Sequence, residues 1–310
     1  WSSDVCSSDL HNDLKREMIK NGADKETVMT YLVAYQQVYK EAKTARYSSA
    51  LEQIKNGAVE NPFEKPAPDY TLPALGDRVA ILIGNESYQS PINPLNTPIA
   101  DITAIGDVFK NRFGYDLVTI RNGSYNDIVG ALMRVGDSLG PNQSLLIYYA
   151  GHGYEAEDTG IGYWLPTDAE PGNAGKWLSN KDISNFLSKV KSKQIMVISD
   201  SCYSGTLTRE YQFSTSGNTL TPEQILQQRS VMVMTSGGEE PVFDDGYPGH
   251  SVFAGNLIDT LNQIPEDDMA FDVFGKVKNI ITETVPQTPS YGAMISAGHE
   301  EGGDFVFDLK

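Results

Sequence analysis

The chain has 310 residues, 40% of them hydrophobic, with 41 acidic against 24 basic side chains and a net charge of −17. That length suits one α/β domain of roughly 200–250 residues plus an accessory segment. No run nears the ~18 consecutive apolar residues of a membrane helix, and so acidic a surface disfavours nucleic acid and anionic lipid and suits basic partners. Two cysteines, Cys6 and Cys202, and four histidines without ligand spacing suggest neither a disulfide framework nor a metal site. The chain starts at Trp1 rather than Met and shows no signal peptide. A cytoplasmic setting is the expectation, with periplasmic or secreted settings left open.

Residues 1–10 repeat Ser-Ser-Asp-Val as Ser-Ser-Asp-Leu and read as a disordered or non-native tail. Residues 11–60 read as a helical segment. Asp24 is a candidate N-cap, and Val28, Tyr31, Leu32, Tyr35, Val38, Tyr39 and Ala42 recur at helical spacing, which predicts a helix from Asp24 to Ile54. Its Tyr-rich face must pack on something, and the main domain is favoured, since lone helices seldom stay ordered. Residues 61–76, with Pro62, Pro66 and Pro68, read as an extended linker.

The main domain reads as 77–310. Predicted strands Val79–Gly84, Tyr115–Ile120, Ser144–Ala150, Gln194–Ser199 and Val231–Met234 alternate with predicted helices Thr97–Phe113, Tyr125–Leu139 and Asp182–Val190. That order implies a parallel sheet with right-handed crossovers. Gly160–Pro166 reads as a hairpin arm carrying Trp164. Residues 206–229 are polar and read as an exposed connection, with a helix over Pro222–Gln228. His250–Leu261 and Phe271–Thr284 read as helices, and Tyr291–Ile295 and Asp304–Phe307 as final strands.

Chemistry gathers after two of the strands. Tyr148-Tyr149-Ala150-Gly151-His152-Gly153 and Asp200-Ser201-Cys202-Tyr203-Ser204-Gly205 each place a reactive side chain at the carboxyl end of a predicted core strand, where open α/β sheets collect their catalytic groups. A thiol needs a base to become a good nucleophile at neutral pH, and His152 is the candidate base for Cys202. The backbone N–H groups of Gly153 and Cys202 are candidate oxyanion donors. The plain alternative is an inert core thiol beside a histidine in a glycine turn. Asp200, two residues before Cys202, points to the same side of an extended chain. There it could orient the histidine, bind a metal or receive a cationic side chain.

These motifs resemble the caspase-like cysteine peptidases (peptidase family C14, clan CD), and within them the metacaspase, orthocaspase and paracaspase branch of bacteria. Val79–Asn85, Gly162–Asp168, Ser230–Gly237 with Gly249–Phe253, and Gln287–Glu300 also resemble segments of that family, so the likeness spans about residues 77–308. It implies a three-layer α/β/α sandwich around a mostly parallel six-stranded sheet, and a Cys-His dyad. In metacaspase-like members the specificity pocket is acidic and cleavage follows Arg or Lys. Asp200 matches one acidic position and Asp101 the other.

Three further expectations follow from the resemblance. Self-cleavage falls at Arg209 or Arg229. A monomer is favoured over a dimer. No cofactor is needed, and calcium is not essential, because Asn180-Lys181 stands where an Asp-Asp pair often serves calcium. The rival functions are a catalytically silent caspase-like scaffold that binds partners through the Tyr-rich helix, and a legumain-like or gingipain-like peptidase of the same clan.

Overall fold

The computed structural model describes residues 17–64, 75–156, 159–202, 207–208, 222–237 and 247–310. The tail 1–10, Cys6, Arg209 and most of 206–229 lie outside them.

The N-terminal segment forms two helices, α1 (Lys25–Arg46) and α2 (Ser48–Lys55), followed by a 3₁₀ turn at Pro62–Glu64. Asp24 caps α1, its Oδ1 accepting the Thr27 N–H at 2.7 Å. The helix expected to run unbroken from Asp24 to Ile54 breaks at Tyr47, which is non-helical at ψ 11°. Tyr47 is buried and packs between Tyr154 and Trp177, with ring centroids 4.7 and 5.1 Å away. Burial of a large ring outweighs the small cost of interrupting a helix. The predicted apolar face of α1 is only partly used: Val28 and Leu32 are buried in the main core, whereas Val38 is exposed. The start of the expected linker is not extended either, because Phe63 stacks on Phe186 at 4.8 Å.

The main domain runs β1 (Arg78–Gly84), α3 (Pro98–Phe113), β2 (Asp116–Arg121), α4 (Tyr125–Ser138), β3 (Ser144–Ala150), β4 (Gly153–Ala156), β5 (Ile161–Trp164), β6 (Leu178–Ser179), α5 (Asn180–Leu187) and β7 (Gln194–Asp200). It continues through α6 (Pro222–Gln227), β8 (Ser230–Thr235), α7 (Val252–Gln263), β9 (Asp268–Met269), α8 (Ala270–Thr284), β10 (Ser290–Ala293) and β11 (Val306–Phe307). The central sheet has the order β10-β8-β7-β3-β1-β2. All its neighbours pair in parallel except β10 with β8.

The inner strands are apolar at nearly every position because both faces are covered. Their period of two still sorts side chains into two cores. Leu82, Leu146, Met196 and Met232 face α3, α7 and α8, while Ile81, Ile147, Val197 and Val231 face α4 and α5. This is the expected three-layer sandwich. The hairpin arm is a small sheet, β4-β5-β6, capped by a third core to which Tyr47 at the helix break and Ala50 of α2 contribute. The last predicted strand pairs with β9 and stays outside the central sheet.

Candidate active site

The register of the sheet aligns the two motifs. Ala150, the last residue of β3, pairs with Asp200, the last of β7. His152 and Cys202 each follow by two residues, so they leave neighbouring strand ends at equivalent positions. Both are buried. Gly153 backs onto this junction, and a Cβ there would clash with the Cys202 carbonyl and crowd the Ser201 side chain. Only glycine lets the two chains approach so closely.

The loop after β1 supplies the other wall. The Nε2 of His152 lies 2.8 Å from the Asn93 carbonyl oxygen. A carbonyl only accepts, so Nε2 carries the proton and Nδ1 is the basic nitrogen. Tyr88 packs its ring on the imidazole, 4.6 Å between centroids. On the other side of the strand end, Trp164 stacks on Tyr149 at 4.4 Å and donates Nε1–H to Ser199 Oγ at 2.9 Å. The His152 imidazole thus lies against the Tyr88 ring, next to the stacked Tyr149–Trp164 pair.

Asp101 and Asp200 come together although 98 residues separate them in the sequence. Asp101 lies in the first turn of α3 and is 1% exposed; Asp200 closes β7 and is 6% exposed. Ser251 joins them. Its hydroxyl donates to Asp200 Oδ2 at 2.6 Å, and its backbone N–H faces the two Asp101 oxygens at 3.4 and 3.5 Å. Tyr148 adds a longer contact to Asp200, 3.3 Å from its hydroxyl. Burial raises the Asp200 pKa above the usual carboxylate value, opposed by hydrogen bonds from Ser251, Ser236 and Tyr148. A buried carboxylate of this kind gains from an incoming cation.

His250 and Ser251 were not singled out as site residues by the sequence. The helix expected from His250 begins at Val252, with Ser251 as its N-cap accepting the Ala254 N–H at 2.9 Å. His250 therefore lies ahead of the helix, and its Nδ1 reaches Asp101 Oδ1 at 2.7 Å. The sequence signal that could have found Ser251 is a serine immediately before the apolar run Val252-Phe253-Ala254. Tyr88 and Asn93 carried no signal of their own.

Arg229, expected in an exposed connection, is half-buried, and its guanidinium donates to the carbonyls of Leu187, Val190, Ser192 and Ala297. Its backbone N–H also meets Glu300 Oε2 at 2.7 Å. A side chain so held cannot enter a pocket without breaking the packing around β8. Near the stretch considered for calcium, Asp182 accepts from Ser179 Oγ at 2.6 Å and Asp168 accepts the Tyr125 N–H at 2.7 Å.

A family model for the caspase domain (Peptidase_C14) matches residues 77–297. The chain is 28% identical over 166 residues to Metacaspase-1B of Aspergillus clavatus, covering 46% of this chain and 39% of that protein. It thus spans well under half the length of that relative. The crystal structure of protein GSU0716 from Geobacter sulfurreducens superposes with a TM-score of 0.53 at 14% identity, over 74% of this chain and all of that one; at such identity the likeness speaks for the fold alone. With the family match covering the whole central sheet and both strand-end motifs, the chain belongs to the caspase-domain family of cysteine peptidases.

Proposed function

We propose that the chain is a cysteine endopeptidase that hydrolyses peptide bonds after Arg, and less well after Lys. The observation that carries this reading is the meeting of Asp101 and Asp200 at Ser251, with Asp200 two residues from Cys202. In the proposal, His152 Nδ1 takes the Cys202 thiol proton and the sulfur attacks the scissile carbonyl carbon. Backbone N–H groups of Gly153 and Cys202 donate to the developing oxyanion. The histidine returns the proton to the leaving amine, and water then hydrolyses the thioester, restoring the thiol.

Asp101 and Asp200 receive the basic side chain. A guanidinium offers two parallel N–H donors to a carboxylate, which an ammonium does not, so Arg is preferred to Lys. An Asp side chain would add a third carboxylate and is rejected. The enzyme works as a monomer, requires no cofactor and does not depend on calcium. Its substrates are proteins or peptides with exposed Arg or Lys.

The test is cleavage of fluorogenic peptides ending in Arg, Lys, Asp or Asn by the purified protein, with calcium and with chelator. Expected are kcat/KM values in the order Arg, Lys, then baseline for Asp, unchanged by chelator. Cys202→Ala and His152→Ala abolish turnover, and Asp200→Ala or Asp101→Ala lowers Arg cleavage by about a hundredfold, the worth of a charge-assisted contact of ~3 kcal/mol. Turnover surviving in Cys202→Ala, or a preference for Asp, overturns the reading.

A further inference from the structure

Asp101 already has a nitrogen partner. The His250 Nδ1 to Asp101 Oδ1 distance is 2.7 Å, and the His250 side chain is 23% exposed against 1% for Asp101. The imidazole therefore forms the solvent-side edge of a buried carboxylate. Its backbone is fixed on both sides: the His250 N–H donates to the Tyr247 carbonyl at 3.2 Å, and the next residue caps α7. The dipeptide His250-Ser251 thus touches both acidic residues at once, Asp101 through the imidazole and a backbone N–H, and Asp200 through the serine hydroxyl.

The identity of the donor matters for charge. A carboxylate only accepts, so His250 Nδ1 carries a proton. As a neutral imidazole, His250 orients Asp101 and leaves its negative charge uncancelled. As a permanent cation, the same position would neutralise Asp101 and stand where a substrate cation must approach. Burial lowers the His250 pKa, with Asp259 opposing that shift. A neutral donor at this position is what an acidic recognition site requires.

We propose that His250 is a specificity-determining residue of the acidic site: a hydrogen-bond donor that holds Asp101 in place and lines the approach of the substrate's basic side chain. This rests on the reading that Asp101 and Asp200 receive Arg. His250 acts on recognition and not on the chemical step, so its loss appears in KM and leaves kcat nearly intact. Losing a hydrogen bond to a charged group corresponds to about a tenfold to hundredfold loss of affinity.

Two measurements test this. In the first, kcat and KM are determined on an Arg peptide for wild type, His250→Ala, His250→Asn and His250→Lys. Asparagine places an N–H donor where Nδ1 stands. Expected are a KM raised at least about tenfold in His250→Ala, recovery of most of that loss in His250→Asn, and the weakest substrate binding in His250→Lys, whose ammonium pairs with Asp101. In the second, calorimetry follows binding of an acetylated Arg peptide amide to the same variants in a Cys202→Ala background, with circular dichroism confirming the fold. The affinity order should match. If wild type cleaves and binds Arg peptides but His250→Lys does so equally well, the role of His250 is overturned and the peptidase reading stands. If the Cys202→Ala protein with native His250 binds no Arg peptide and wild type cleaves none, the acidic-pocket reading falls and the role of His250 falls with it.

Discussion

The hydroxyl of Tyr88 accepts the backbone N–H of His152 at 2.8 Å while its ring lies against the imidazole of the same residue. The same hydroxyl donates to the Leu165 carbonyl at 3.0 Å, and Tyr149 Oη sits 2.7 Å from the His152 carbonyl. Burial pushes the Tyr88 pKa well up, so the phenol stays neutral and serves as donor and acceptor together. A Cβ on Gly151 would clash with both hydroxyls, so the glycine before His152 makes room for the two tyrosines that hold its backbone.

Tyr88→Phe keeps the ring and removes the acceptor of a buried N–H, at a cost of about 1–3 kcal/mol. The expected result is lower thermal stability and a kcat on Arg peptides reduced about tenfold, with KM little changed. Thermal unfolding reads the first and steady-state kinetics the second. A full kcat in Tyr88→Phe would mean that the ring alone positions His152.

The strand-end motifs were legible because the parallel strands carrying them are buried on both faces and read as continuous apolar runs. The predicted Ser144–Ala150 strand is observed residue for residue, and the one before Cys202 gains only Asp200. With both strands placed, His152 and Cys202 followed. The partners of Asp101 were not legible: His250 is 149 residues away, and only the packing of α7 on α3 brings it near. The break at Tyr47 was hidden for a similar reason. The local pattern is helical throughout, and the pocket between Tyr154 and Trp177 that draws the ring inward comes from another part of the chain. Polar composition around Arg229 suggested exposure, but the carbonyls that satisfy it belong to α5, the loop after it and the turn at Ala297.

That network makes Arg229 structural. Hydrogen bonds to a charged group are worth about 1.5–3 kcal/mol each at most, and orphaning buried carbonyls adds to the loss. Arg229→Ala should lower stability by about 3 kcal/mol, read from denaturant midpoints. Self-cleavage after residue 229 should be absent, leaving Arg209 as the expected position. Mass spectrometry of aged wild-type protein beside Cys202→Ala decides it: a Cys202-dependent cut after Arg229 in folded protein would show that the segment opens despite its contacts.

Two buried groups, Asp304 and His299, should set opposing pH dependences of stability. Asp304 accepts hydrogen bonds from Tyr291 and from the N–H groups of Phe305 and Phe271. Burial nevertheless raises its pKa from 3.8 to about 6. The folded state therefore binds this proton more tightly than the unfolded chain. The stability it contributes is full below the unfolded value and is lost as pH rises through about 6, a change of roughly 3 kcal/mol at 1.36 kcal/mol per pH unit. His299 acts the other way. Its Nδ1 accepts the Val231 N–H at 3.2 Å, and burial lowers its pKa from 6.5 to about 4. Its contribution is full above the unfolded value and is lost as pH falls toward 4. In wild type the two slopes offset each other across the shared window. Asp304→Asn should unmask a steeper loss of stability in acid, and His299→Gln a stability that declines as pH rises. Urea midpoints at about pH 4.5, 5.5 and 7 for the three proteins test this, since every other titrating group is common to all of them. Parallel midpoint curves for wild type and both variants would show that neither group changes its proton affinity on folding.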